Sequence, residues 1–381
     1  MSAHREHTDD LAAAATLAAL AGMGPSTLRA MLPDDADATE VVRSLRGAPA
    51  ERVAGWRRRI ESQDPDAELR RVRAAGIEIA CPGDAGYPRR LADDHEAPAV
   101  LYVRGDTGRI PAIEHPTAAI IGTRRCTRAG RSTARQLGEA LTEVGVVVVS
   151  GLAWGIDGAA HEGALRARCG APPVAVVGSG LDVVYPKRHE QLWARVAGRG
   201  LILSEAPPGA QPDAWRFPAR NRIIAALSDV VIVVESHGRG GSMITVDEAQ
   251  RRGREVLAVP GPLGSPASQG ANELLRDGCH PVLEPADIIA ALNRIRTDVP
   301  ALGPVRTPSD DEPAAPAAPV LPGPVAGGSA GAVLEALGHT PSNLEQLVVR
   351  SGRPLAEVSW ALATLESMGR IVCTDGWYEM S

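Results

Sequence analysis

Ala118-Ala119-Ile120-Ile121-Gly122-Thr123-Arg124 and, one amphipathic stretch later, Val146-Val147-Val148-Val149-Ser150-Gly151 decide the architecture of this chain. Each is an unbroken apolar run that ends in a glycine-containing polar turn. A strand with one wet face alternates polar and apolar residues; a run apolar at both parities is covered on both faces, as in a parallel sheet. The unit recurs outward at Val174–Val177, Leu201–Leu203, Val230–Val234 and Glu255–Val259. Between the runs lie segments of helical length: Ala129–Glu143, Gly158–Arg168, His189–Ala197, Asn221–Ala226 and Met243–Arg251. Gly145, Gly170, Gly200 and Gly253 punctuate helix ends, where a left-handed cap favours glycine. Strand–helix alternation repeated this often predicts right-handed βαβ units. The fold class is α/β, an extended Rossmann-like, doubly wound, mostly parallel sheet over residues 76–295.

Outside that block the pattern changes. Residues 1–75 read as a small helical domain of the SAM or helix-hairpin-helix kind. Two short helices over Leu11–Leu32 are split by Gly22-Met23-Gly24-Pro25, and more helix runs through Trp56 and Leu69 to Ala75 with a stop at Gly76. Glycines flanking an apolar residue between helices suit a plain helical hairpin; they also suit a module whose turn amides meet a phosphate. Residues 296–328, rich in Pro, Ala and Gly with an acidic knot at Asp310–Glu312, read as a linker. Residues 329–381 hold three helical segments, Ala330–Leu337, Asn343–Val349 and Leu355–Met368. Ser342 is the expected N-cap of the second, with Glu345 at the capping-box position. Ile371–Cys373 and Trp377–Glu379 flank an Asp375-Gly376 turn; three helices and a terminal hairpin is winged-helix order.

At 381 residues the chain is long enough for two or three domains. No apolar run reaches the length of a membrane span, and Met1–Asp10 is polar and mixed in charge, unlike a secretory signal. The five cysteines lie far apart with no CxxC pair, which suits free thiols in a reducing compartment and no zinc site; the expected location is the cytoplasm. The net charge of −6 argues against nucleic acid only on average. Five arginines and no acid lie between His115 and Gly138 (Arg124, Arg125, Arg128, Arg131, Arg135). More basic residues cluster at Lys187-Arg188 and Arg216–Arg222. The acids gather at Asp34–Asp37, Asp93–Glu96 and Asp310–Glu312.

Ligands of parallel sheets bind beyond the carboxyl ends of the strands, where loops meet helix N-termini. There the sequence places Gly122-Thr123-Arg124, Ser150-Gly151, Gly178-Ser179-Gly180, Tyr185-Pro186-Lys187 and Gly238–Ser242. Singly these suit ordinary turn geometry; converging on one edge they form a cradle of N–H groups for anions. No GxGxxG fingerprint and no GxxxxGK[ST] loop is present, which argues against a dinucleotide or P-loop nucleotide site and leaves no cofactor implied. Phe217-Pro218-Ala219-Arg220-Asn221-Arg222 holds the only phenylalanine. Arginines at a helix start oppose the macrodipole unless an anion is near, and a ring beside guanidiniums suits a stacked base. The competing reading is a core Phe217 with arginines paired to carboxylates such as Glu205 or Asp229. His161, one helical turn after Asp157, suits either a general base and its orienter or a pair that ties down a helix. Glu235 and Asp247 suit a hydrolase, but no nucleophile or metal-ligand cluster accompanies them.

Taken together, AIIGTRRCTRAG, SGLAWGIDGAAHEGAL, AVVGSGLDVVYPKRHEQL, LILSEAPPG, FPARNRIIAALSDVVIVVE, GGSMITVDEAQRRGREVLAVPG and GANELLRDG closely resemble the DNA-processing protein A family, also called Smf. These stretches cover almost all of Ala118 to Gly278, and Gly86-Tyr87-Pro88 through Gly105 resembles the family's entry to the Rossmann domain. The resemblance implies a non-enzymatic homodimer that binds single-stranded DNA and hands it to RecA for recombination, in transformation where the host is competent. It carries the family's pocket arginine onto Arg124 and its lysine onto Lys187, with Phe217, Arg220 and Asn221 beside them. The expected contact set is Gly122, Thr123, Arg124, Ser150, Gly151, Lys187, Phe217, Arg220, Asn221, Arg222, Gly241 and Ser242. Thr123 stands for a commoner serine, and Gly240-Gly241 precedes Ser242 where Ser-Gly is common. The alternative is a Rossmann-like nucleotide hydrolase or phosphoribohydrolase of the lysine-decarboxylase-like type, echoed by Gly240-Gly241-Ser242 with Glu248. A third reading, a winged helix that reads duplex DNA, has only Arg350, Arg353 and Arg370 as basic residues.

Overall fold

The computed structural model describes residues 2–33, 36–47, 50–62, 64–168, 170–298, 300–303, 329–337, 342–368, 370–374 and 377–380. They fall into two compact units, Met1–Thr307 and Pro308–Ser381. The first opens with helices α1 (Ser2–Ala18), α2 (Pro25–Met31), α3 (Ala38–Gly47), α4 (Ala50–Ser62) and α5 (Pro65–Ala74). Strand β1 (Glu78–Ala80), α6 (Arg89–Ala92) and β2 (Leu101–Gly105) lead into the repeating block. That block is β3 (Thr117–Ile121), α7 (Arg128–Glu143), β4 (Val147–Ser150), α8 (Ile156–Ala164), β5 (Val174–Val176), α9 (Glu190–Arg199) and β6 (Leu201–Ser204). It continues with α10 (Arg216–Ala226), β7 (Val230–Val233), α11 (Gly241–Arg251), β8 (Glu255–Ala258), α12 (Gln269–Arg276), β9 (His280–Pro281) and α13 (Pro285–Ile295).

The strands form one sheet in the order β1-β2-β6-β5-β4-β3-β7-β8-β9. From β6 to β9 every pairing is parallel; β2 pairs antiparallel with both β1 and β6. The doubly wound, mostly parallel sheet expected from the unbroken apolar runs is present. Strand parity decides which layer each side chain joins. Ala118, Ile120, Val148, Val230 and Ile232 pack with side chains of α7, α8 and α13. Their neighbours Ala119, Ile121, Val149, Val231 and Val233 pack with α10, α11 and α12. Each such side chain contributes roughly 1.5–3 kcal/mol by leaving water, so the two apolar layers outweigh any single polar contact described below.

Leu17, Leu28, Val42, Ile60 and Val72 of the N-terminal helices join Tyr102, Val177, Trp193 and Ile202 in one cluster. The expected division after residue 75 therefore passes between helices and strands that share a core. Two helix boundaries differ from expectation, one for a tertiary and one for a local reason. Helix α8 ends at Ala164, where Arg199 donates to the Leu165 and Ala167 carbonyls at 2.9 and 3.0 Å and draws them out of the helical ladder. Helix α10 begins at Arg216 rather than Asn221 because Pro218 falls in its first turn, where no intrahelical N–H is required. The first helix also starts well before Leu11, and its Asp10 accepts from the Ala38 and Thr39 amides at 2.6 and 3.3 Å to cap α3.

The second unit contains α14 (Ser329–Leu337), β10 (Ser342–Asn343), α15 (Leu344–Ser351), α16 (Leu355–Ser367), β11 (Ile371–Thr374) and β12 (Trp377–Met380). A three-stranded antiparallel sheet, β10-β12-β11, closes over Val333, Leu347, Val358, Leu362 and Ile371. This is winged-helix order. The N-cap of α15 is Asn343 in a reciprocal box with Gln346, one residue beyond the expected Ser342 and Glu345. Ser342 is instead a buried strand residue paired with Tyr378, its hydroxyl accepting from Arg350 at 2.9 Å. Most of the expected linker (304–328) and the Asp375-Gly376 turn lie outside the described residues. Among the described residues no helix is long and apolar enough to cross a membrane, and no group of His, Cys, Asp and Glu is gathered to hold a metal ion.

Candidate functional site

β3 and β7 lie side by side, yet the chain winds from β3 toward β6 on one side and from β7 toward β9 on the other. The loops leaving these two strands therefore diverge and open a crevice at the topological switch point. The cleft there, of about 470 Å³, is lined by the Gly122–Arg125 turn, Asp157, Phe217, Arg220, Asn221 and the Gly240–Ser242 turn.

The Gly122–Arg124 turn is held on both sides. Thr123 N donates to the Glu235 carbonyl at 2.7 Å, and the Thr123 carbonyl accepts from Ile156 N at 3.3 Å. A side chain on Gly122 would meet Ile156 Cγ1 at 2.6 Å and the Glu235 carbonyl at 2.7 Å. The Thr123 hydroxyl accepts from Arg125 N at 3.1 Å, so it shapes the turn. Arg124 is left exposed, its guanidinium 4.7 Å over the centre of the Phe217 ring. That ring in turn packs on Tyr185 with centroids 5.4 Å apart. A cation resting on a half-buried ring, beside a second ring, is a platform for a planar anionic ligand.

Beneath it Arg220 is buried, 3.6 Å from the Asp157 carboxylate and donating to the Val176 carbonyl. Burial pushes the Asp157 carboxyl above its ordinary range and the Arg220 guanidinium below its own, each effect opposed by the other's charge. Gly151 is required here, since a Cβ would lie within the Arg220 guanidinium. Asn221 Nδ2 donates to the Gly241 carbonyl at 3.2 Å, and the Ser242 and Ser236 hydroxyls meet at 2.8 Å, which together fix the opposite wall.

Other expected contacts sit elsewhere. Ser150 is fully buried and donates to the Ile120 carbonyl at 2.6 Å, tying β4 to β3. Arg222 pairs with Glu205 at 2.5 Å and is not among the described residues lining the cleft. Two residues along a helix turn a side chain by about 200°, so Arg220 and Arg222 face opposite ways. The carboxylate reading thus holds for Arg222, whereas Asp229 takes Arg90 at 2.9 Å and Arg296 at 3.3 Å. Lys187 is exposed and follows Tyr185 and Pro186, which line a small adjoining recess with Phe217 and Arg124.

The His161–Asp157 pair does not form: Asp157 faces Arg220, and His161 is wholly enclosed, burial pulling its imidazole down to about 3. Sequence reasoning also passed over Trp154 and Tyr185, which line the recess beside the cleft. Trp154 stands exposed beside the recess, with Arg131 at 5.2 Å and Arg188 at 5.9 Å from its ring centre. In a chain with one Phe, four Tyr and six Trp, two aromatics in strand-end turns are a readable signal.

Residues 78–293 match the family model described as DNA recombination-mediator protein A, and residues 311–376 match the DprA winged helix domain. The chain belongs to the DNA-processing protein A family. It is 40% identical to the DNA processing protein DprA of Streptococcus pneumoniae over 54% of this chain and 71% of that protein. It is 31% identical to Protein Smf of Synechocystis over 84% of this chain and 83% of that protein. Two solved structures are similar. The X-ray structure of DprA from S. pneumoniae has a TM-score of 0.59 at 31% identity and covers 73% of this chain and 95% of its own. DNA processing protein A from Helicobacter pylori has a TM-score of 0.51 at 31% identity, covering 59% and 98%; that work concerns the protein's single-stranded DNA binding mode.

Within this family member two of the acids invoked for hydrolysis, Glu235 and Glu248, have structural partners, and the third, Asp247, is exposed and is not among the described residues lining the cleft. Glu235 accepts from Thr127 N at 2.8 Å and Thr127 Oγ1 at 2.6 Å at the start of α7. Glu248 binds Arg251 at 2.7 Å and Arg252 at 2.5 Å near the far end of α11. Asp157 is the one carboxylate among the described residues lining the cleft, and it faces Arg220.

Proposed function

We propose that this chain binds single-stranded DNA in the switch-point cleft and acts as a recombination mediator without chemistry of its own. The observation that carries the reading is the exposed Arg124 guanidinium resting on Phe217 at the mouth of a cleft whose only described carboxylate faces an arginine. A ring and a guanidinium take a base and its phosphate with little sequence preference. Arg124 and Lys187 supply backbone charge; Phe217 supplies stacking; Arg220, Asn221, Gly151 and the Gly241-Ser242 turn hold the walls.

Fluorescence anisotropy with a labelled oligothymidylate at several salt concentrations tests this. Each phosphate contact on a single strand contributes about −0.7 to the slope of log affinity against log salt, so Arg124→Ala and Lys187→Ala should each flatten it by about that much. Phe217→Ala should cost about 1–3 kcal/mol at every salt concentration and leave the slope alone. If both charge variants bind as the wild type does, the cleft is not the site. In the same reading the protein is a cytoplasmic homodimer that delivers the strand to RecA. Light scattering at graded concentrations reads the dimer, and RecA filament formation on protein-coated strand reads delivery. Release of free base from nucleoside monophosphates would instead establish a hydrolase.

A further inference from the structure

A second groove lies between the N-terminal helices and the sheet. Its volume is about 530 Å³, comparable to that of the cleft, and its walls are the Ala18–Gly24 turn, Arg59 of α4, Glu68 and Arg71 of α5, the Pro207–Ala210 loop after β6, and Trp215-Arg216. It meets the cleft through one element. The first turn of α10 carries Phe217 into the cleft, while Trp215 and Arg216, immediately before it, line the groove.

Three features of this groove suit a nucleic-acid backbone with its bases. Trp215 is 49% exposed, and the Arg216 guanidinium lies 4.4 Å from its ring centre, which repeats the Arg124–Phe217 arrangement on the neighbouring wall. Arg59, Arg71 and Arg216 line the groove with one carboxylate, Glu68, which Arg71 holds at 2.6 Å, while Arg216 also lies 3.4 Å from the exposed Asp213. The turn carrying Gly22-Met23-Gly24 is open: a Cβ on Gly22, Gly24 or Gly209 would meet nothing within 4 Å, so a bulky ligand can approach the backbone there.

We propose that the single strand leaving the cleft crosses Trp215 and continues along this groove, so that the N-terminal helices form the second half of the binding track. The proposal rests on the cleft reading given above. Trp215 is a stacking platform in it, and Arg59 and Arg216 take phosphates as the strand passes the Gly22–Gly24 turn.

The test uses the full-length protein and two oligothymidylates, of about 6 and about 20 nucleotides, which bracket the roughly 4–16 nucleotide footprints of single-strand grooves. Trp215→Ala and Arg59→Gln are compared with wild type by anisotropy, with circular dichroism and thermal melting to confirm an unchanged fold. Loss of one stacked base, about 1–3 kcal/mol, corresponds to an affinity drop of roughly 5- to 150-fold. That drop is expected for Trp215→Ala on the long strand, with the short strand bound as by wild type; Arg59→Gln should flatten the salt slope on the long strand alone. Wild-type affinity of both variants for the long strand overturns the track and leaves the cleft reading intact. Equal loss on both lengths also overturns it, since Trp215 would then belong to the cleft. A wild-type protein that binds neither length overturns the cleft reading and the track with it.

Discussion

At the scale of single residues, the cleft depends on positions where a side chain has no room. Gly155 has a φ of 93°, and a Cβ there would fall on the Thr123 and Arg124 carbonyls. Gly155→Ala must therefore push back the turn that presents Arg124, in addition to adopting a backbone conformation that L side chains avoid. Strain of this kind costs on the order of 1–3 kcal/mol, and the expected outcome is weaker oligothymidylate binding with a lowered melting temperature. A Gly155→Ala protein that binds and melts as wild type would show that the turn relaxes freely. Arg124 and Phe217 were legible in the sequence because an arginine in a strand-end turn and a lone phenylalanine among arginines have few structural uses. The places of Ser150 and Arg222, outside the cleft lining, were not legible for the opposite reason. A hydroxyl after a strand and an arginine on a helix look the same in sequence whether they meet a ligand, the Ile120 carbonyl or Glu205.

Among elements, α11 links the cleft to the rest of the sheet. Its first turn carries Gly241 and Ser242, and just beyond its last turn Arg252, 3% exposed, gathers Asp94 at 2.7 Å, Glu96 at 3.0 Å and Glu248 at 2.5 Å. Replacing it, as in Arg252→Met, leaves the Asp94 side chain, 7% exposed, without its charged partner, along with the more exposed Glu96 and Glu248, which costs about 1–3 kcal/mol. Burial is the largest influence on the Asp94 and Glu96 carboxyls and raises both. The hydrogen bond and charge of Arg252 outweigh it, together with the Glu96 amide at Asp94 and with the charges of Arg222 and Arg29 at Glu96, and both lie below their ordinary 3.8 and 4.5. A depressed folded-state value stabilises above the unfolded value and ceases to as pH falls through the folded one. The gap between wild type and Arg252→Met in urea denaturation should thus be full at about pH 7 and shrink by about pH 3. An equal gap at both would place the contribution of Arg252 in packing and not in charge. The strands of this layer were legible because apolar runs of one length have one use in a parallel sheet. The end of α8 was not, since Arg199 capturing two carbonyls is a tertiary contact with no local trace, whereas the early start of α10 has its trace in Pro218, which a first turn accommodates.

For the whole molecule, the net charge of −6 conceals a division of labour. A basic cluster surrounds the strand-end turns of the first unit at Arg124, Arg125, Lys187 and Arg188, whereas the winged helix has only Arg350, Arg353 and Arg370. Two of these have partners within their own unit: Arg350 donates to Ser342 at 2.9 Å, and Arg353 lies 3.7 Å from Glu357. Large apolar side chains are exposed on it, among them Val349 at 80% and Trp360 at 69%. Duplex binding gains its affinity from phosphate contacts, each adding about −0.9 to the salt slope, and one remaining arginine supplies little of that. Removing every residue after Leu321 should consequently leave oligothymidylate affinity and its salt slope unchanged, because the cleft and its walls lie wholly within Met1–Thr307. Parallel titrations of full-length and shortened protein with single and double strands decide the matter. Duplex affinity that is present in the full chain and vanishes on truncation would assign DNA contact to the winged helix. A single-strand affinity that falls on truncation would mean that residues beyond the first unit help to build or close the cleft.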